Sequence, residues 1–169
     1  LLSSQGLHAY SQHPLFATVG LDRTFYAPVG STELAEYAAA VPGDFRFLVK
    51  AWGELLGPVP GRAGVRSKLD VEAILRHCVE PAVEGLREKL GVILLQFPPQ
   101  GAAMLRTPER FADRLYELLG NWPRGVVCAV ELRDAGLLTA EYAAVLRDTG
   151  ARHCYALHPG QPGLARQRE

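Results

Sequence analysis

The run Val126–Arg133, VVCAVELR, is apolar for five positions and then takes on Glu131 and Arg133, two residues apart. Side chains alternate along an extended chain, so Val127, Ala129, Glu131 and Arg133 share one face, and Cys128, Val130 and Leu132 share the other. A carboxylate beside a guanidinium at a strand end offers a proton donor or acceptor next to a fixed cation. That is the material of general acid–base chemistry and of anion holding. Four other β-rich runs end the same way, in Asp22, Lys50, Gln96 and His158. Thr24 continues the Asp22 face if that strand runs on.

Converging strand ends suggest definite roles. Glu131 is the candidate general acid/base and Lys50 an electrostatic stabiliser, since opposite charges in a low-dielectric mouth shift each other's pKa. Arg133 would hold an anionic substrate, helped by Arg62, Arg66 and Lys68 in the glycine-containing loop Gly61–Lys68. Asp22, Thr24, Tyr26, Gln96 and His158 would orient it. Tyr26 and Trp52, just past two strand ends, offer rings for stacking a sugar or base. The plain alternative is that strand ends turn polar as they emerge into solvent, and that Lys50 and Glu131 form one structural ion pair of small net worth. Asp22, Glu131 and His158 also carry the donor atoms of a divalent-metal site, although no cofactor is required by the sequence.

These residues need a frame, and the pattern supplies one. Strands are expected over Ala17–Asp22, Phe45–Ala51, Val92–Phe97, Val126–Arg133 and His153–His158. Between them fall helical patterns: from Ser31, as N-cap, to Ala40; Val71–Leu90 with a kink at Pro81; Pro108–Leu119, capped by Thr107 with proline at its first position; and Thr139–Asp148, ending at Gly150. Alternating strands and helices indicate a parallel sheet, either doubly wound or part of a (β/α)8 barrel. In both, ligands bind at the carboxyl ends of the strands.

Composition bounds the function. The chain of 169 residues is 48% hydrophobic with 18 basic and 18 acidic residues, so no global field draws it to nucleic acid or anionic membrane. Its apolar runs are strand-length, too short to span a bilayer. Three widely spaced cysteines fit neither a disulfide framework nor a zinc knuckle, and point to a reducing, cytoplasmic setting. GxSxG, Walker, GxGxxG, HExxH and EF-hand patterns are absent, and the serines lie mostly near termini or caps. No signal-peptide pattern opens the chain. It starts at Leu1 and stops at PGQPGLARQRE without a closing element, so it reads as a fragment of a longer chain.

Taken together, TVGLDRTFYAP (Thr18–Pro28), FRFLVKA (Phe45–Ala51), EKLGVILLQFPP (Glu88–Pro99) and CAVELR (Cys128–Arg133) resemble the YecE-like family of unknown function. The tail HCYALHPGQP resembles one branch of it. The resemblance implies a TIM-barrel-like fold and brings no established reaction. It favours the barrel over the doubly wound sheet: one partial (β/α) domain over residues 1–169, with the first strand and the closing strands missing. Two departures stand out. Gly20 replaces an inward carboxylate of the family pattern, and Arg23 adds a cation.

The expected function is an enzyme acting on a small anionic or polyhydroxy substrate, or a nucleic-acid end, at the mouth of the strands. The alternative is a non-catalytic module that binds an anion or nucleic acid with the same arginines.

Overall fold

The computed structural model describes residues 4–57, 69–157 and 160–168. The loop residues Arg62, Arg66 and Lys68, and the strand-end candidate His158, lie outside the described residues.

Five strands make one sheet: β1 Thr18–Leu21, β2 Arg46–Lys50, β3 Leu90–Phe97, β4 Cys128–Leu132 and β5 Arg152–His153. All neighbours are parallel, and the order is β1-β2-β3-β4-β5. A doubly wound sheet reverses its order at a switch point. Here nothing reverses, so each right-handed crossover lands on the same side of the sheet. The sheet is not closed.

The burial pattern records that one-sidedness. Phe47, Val49, Ile93, Leu95, Phe97, Cys128, Val130 and Leu132 are buried against the helices in a single core. On the opposite face Thr18 and Gly20 are exposed, and Leu48, Lys50, Val92, Gln96 and Ala129 are half-buried.

The covering helices are α3 Ser31–Ala39, a broken helix from α4 Val71–Ile74 to α5 Glu80–Leu86, α7 Pro108–Gly120 and α8 Ala140–Thr149. The break falls just before Pro81, where a π turn, Leu75–Val79, joins the two α segments. Proline has no N–H for the i→i−4 bond, so the expected kink takes this form. Gly85 lets α5 and α3 meet: a Cβ there would lie 2.5 Å from the Ser31 carbonyl oxygen and 2.6 Å from the Leu34 Cβ. Helix α8 ends at Gly150, whose φ of 76° suits a residue without a Cβ.

Short helices α1 Ser4–Ser11, α2 Arg23–Tyr26, α6 Ala102–Leu105 and α9 Leu164–Gln167 complete the chain. Some local expectations change. Gly30, not Ser31, is the N-cap of α3, because Gly30 is the extended residue whose carbonyl accepts the Leu34 N–H. Thr107 precedes α7 as expected, but its hydroxyl donates back to the Ala103 carbonyl instead of capping. The ladder of β5 stops at His153, well short of His158. Beyond the Cys154 N–H bond to Val130, the side chain of Gln167 takes up both the N–H and the C=O of Ala156. No helix among the described residues is long and apolar enough to cross a membrane.

Candidate active site at the strand ends

Register sets the heights of the candidate side chains. Gly20 lies opposite Leu48, Leu48 opposite Val92, Lys50 opposite Leu94, Leu94 opposite Ala129, and Gln96 opposite Glu131. On the uncovered face this gives a lower row of Gly20, Leu48 and Val92. Above it Lys50, Leu94 and Ala129 form a middle row, and Gln96 with Glu131 an upper one. Leu21 opposite Val49 brings Asp22 beside Lys50. The rows turn from apolar to charged toward the carboxyl ends, as the alternation predicts.

The charges pair strand by strand. Lys50 Nζ meets Asp22 Oδ1 at 2.7 Å, with the Asp22 side chain 73% exposed. Glu131 instead is buried, the only buried charged residue among those described. Its Oε1 accepts from Arg133 Nη2 at 2.8 Å, and its Oε2 accepts from Gln96 Nε2 at 2.8 Å. A carboxylate removed from water must have its oxygens satisfied, and here both are. The structural pair of Lys50 with Glu131 entertained above does not form. Lys50 stands one row lower and two strands away, and Asp22 takes it.

Thr24 and Tyr26 are not brought into this group. The chain turns into α2 directly after Asp22, so β1 does not carry Thr24 onward as a strand residue. The Thr24 hydroxyl is buried and donates to the Leu21 carbonyl at 2.6 Å. Tyr26 is 76% exposed and packs edge-on against Phe25. Arg23, the added cation, is tied to Glu33 and Tyr37 on α3.

Cys154, which the alternation puts on the His158 face of the fifth run, is a further neighbour of the site. Burial and the negative charge of Glu131 raise its thiol pKa, while Arg133 and Lys50 pull it down. Those influences place the sulfur within the field of the mouth. The signal was available: Cys154 follows β5 on the face opposite His153. The other two cysteines are buried, and burial pushes the Cys128 thiol up to about 12.

Two backbone supports steady the rim. Asp134, just past β4, accepts the Gln100 N–H at 2.6 Å, and the Gln100 amide donates to the carbonyls of Leu56 and Pro98. The indole N–H of Trp52, two residues after Lys50, is buried without a hydrogen-bond partner among the described residues. Asp22 and Glu131 from the metal set are engaged with their own cations, and no cluster of three His, Cys, Asp or Glu side chains suited to a metal occurs among the described residues.

Comparison with known proteins agrees with this frame. The family described as "Protein of unknown function DUF72" matches residues 1–167. The UPF0759 protein YunF of Bacillus subtilis (strain 168) is 32% identical over 97 residues, covering 57% of this chain and 33% of that protein. A crystal structure of a DUF72 family protein from Enterococcus faecalis V583 superposes with a TM-score of 0.59 at 17% identity, over 89% of this chain and 58% of that one. A second crystal structure from the same source gives 0.55 at 19% identity, over 87% and 52%. The matched region thus spans a third of the curated relative and little more than half of the structural ones. The YecE-like resemblance is to this same family, and the chain belongs to DUF72, a family of proteins of unknown function.

Proposed function

We propose that the five strands are an arc of a (β/α) barrel and that their carboxyl ends form the mouth of an enzyme acting on a small polyhydroxy substrate. One observation carries this reading: the buried carboxylate of Glu131 is held on both oxygens, at the height where barrel enzymes place their chemistry. The sequential strand order and the bare inner face support the barrel. Further strands would cover Leu48, Val92 and Ala129. The cysteines, all free, suit a reducing cytoplasmic setting.

Glu131 is the proton-transfer group on this reading. Gln96 and Arg133 fix its orientation, and either can swing to a substrate oxygen as Glu131 takes or gives a proton. Lys50, with Asp22 as counter-ion, supplies a cation to charge developing one row below. The pairing favours a polyhydroxy substrate over an anionic one. Each cation of the described mouth already has its carboxylate, so no net positive field remains, whereas hydroxyls can both donate to and accept from such pairs. The unpaired Trp52 N–H is a further donor near the β2 end.

The second reading, a binding module without turnover, draws on the same double restraint of Glu131, which also suits rigid recognition. Thermal-shift screening against sugars, polyols and their phosphates, followed by turnover assays on the hits, tests both. The enzyme reading expects Glu131→Gln to bind a hit and lose turnover by about 100-fold or more. Binding without turnover in both forms favours the module, and steep salt dependence of nucleic-acid binding would make its ligand a polyanion.

A further inference from the structure

A second cavity, of about 440 Å³, lies on the helix-covered side of the sheet between α8 and α9, away from the Glu131 cluster. Its size suits a small molecule. Arg147 of α8, Arg166 of α9 and Arg168 just after it line it, and no carboxylate among the described residues does. Glu141, at the start of α8, is not among the lining residues, and its own amide and Thr139 lower its pKa from the ordinary value. Arg147 and Arg166 have no ion-pair partner among the described residues, and Arg168 stands 6.0 Å from the Tyr155 ring centroid.

Helix α9 is held in place by an unusual anchor for so short a helix. Gln167, between Arg166 and Arg168, accepts from the Ala156 N–H at 3.1 Å and donates to the carbonyls of Ala156 and Pro162 at 3.0 and 2.7 Å. With its amide oxygen thereby identified as the acceptor, His153 Nε2–H donates to it at 3.3 Å. His153 Nδ1 then accepts from the buried Tyr142 hydroxyl at 2.9 Å. The floor of the cavity is a satisfied polar chain from α8 through β5 to α9. It holds the backbone that carries Arg166 and Arg168 beside α8, while the three arginine side chains themselves are exposed. Leu138, Leu146 and the half-exposed Tyr155 supply apolar wall.

We infer that this cavity binds a phosphomonoester, its phosphate on Arg147, Arg166 and Arg168 and its organic part against Leu138, Leu146 and Tyr155. Guanidiniums pair with phosphate through two parallel N–H bonds, and three of them with no competing carboxylate among the described residues match a dianion. The volume, about 440 Å³, matches a small ester.

Calorimetric titration of the chain with AMP, adenosine and inorganic phosphate tests the assignment. AMP is expected to bind, adenosine at least about tenfold more weakly, since charge-assisted bonds are lost. The double variant Arg166→Gln/Arg168→Gln, and separately Arg147→Gln on the other helix, should each weaken AMP about tenfold or more. Circular dichroism would confirm that these surface substitutions leave the fold intact. Glu131→Gln should leave AMP binding unchanged, which separates this site from the strand-end mouth. Adenosine binding as tightly as AMP would overturn the inference. So would arginine variants that bind AMP unchanged, or single-stranded oligonucleotide bound where AMP is not.

Discussion

Two carboxylate–cation pairs stand on one sheet face, at the β1/β2 edge and on β4, and they differ in what surrounds them. Asp22 and Lys50 meet at the outer edge, with the carboxylate 73% exposed. Glu131 and Arg133 meet between β3 and β5, where the carboxylate is buried and a third group, Gln96, takes its second oxygen. Water competes for the first pair and screens it. For the second, water has been replaced by fixed protein donors. Equal charges one row apart on the same face therefore differ in worth.

Substitutions at the two pairs should diverge. Glu131→Ala leaves Arg133 and Gln96 without their acceptor in a mostly enclosed place, and should lower stability by about 2–3 kcal/mol in urea unfolding. A loss below that of Asp22→Ala would erase the distinction. Gln96→Leu strips one donor from a buried oxygen and should cost about 1–2 kcal/mol by the same measurement.

Cys154 offers a smaller but more local readout. Its thiol pKa is raised, so at a given pH it carries less thiolate than free cysteine, and its alkylation should climb with pH later than that of the free amino acid. Glu131 is one cause of the rise. Removing that charge in Glu131→Gln lowers the pKa and should speed alkylation a few-fold, whereas Asp22→Asn should leave the rate as it is. Loss of the Lys50 cation in Lys50→Gln should slow it. Smallest of all, Asp22→Asn and Lys50→Gln should each shift stability by about 0–1 kcal/mol, less at high salt.

The frame was legible because it rests on local patterns. Short β-rich runs located β1 to β4 and met β5 only at His153, and Pro81, Pro108 and Gly150 marked helix breaks and ends near where they occur. The face carrying Lys50, Gln96, Glu131 and Arg133 was also legible, since parity alone assigns it. Partners were not. Which cation meets which carboxylate depends on inter-strand register, and a one-row offset gave Lys50 to Asp22 rather than to Glu131. The end of β5 was hidden for a similar reason. Gln167 competes for the Ala156 backbone from more than ten residues away, and no local pattern announces that. The continuation of β1 to Thr24 does not occur, because a strand and a short helix are alike over four residues and the turn after Asp22 decides between them.

The central claim is that the buried carboxylate, not the exposed one, does the chemistry of the mouth. Its most direct test is the turnover of Glu131→Gln beside Asp22→Asn, on whichever polyhydroxy compound the wild-type chain converts, with binding and unfolding measured on the same samples. Glu131→Gln is expected to bind and stay folded while turnover falls by about 100-fold or more, and Asp22→Asn to lose far less. Turnover that survives in Glu131→Gln, or falls equally in both, would contradict it.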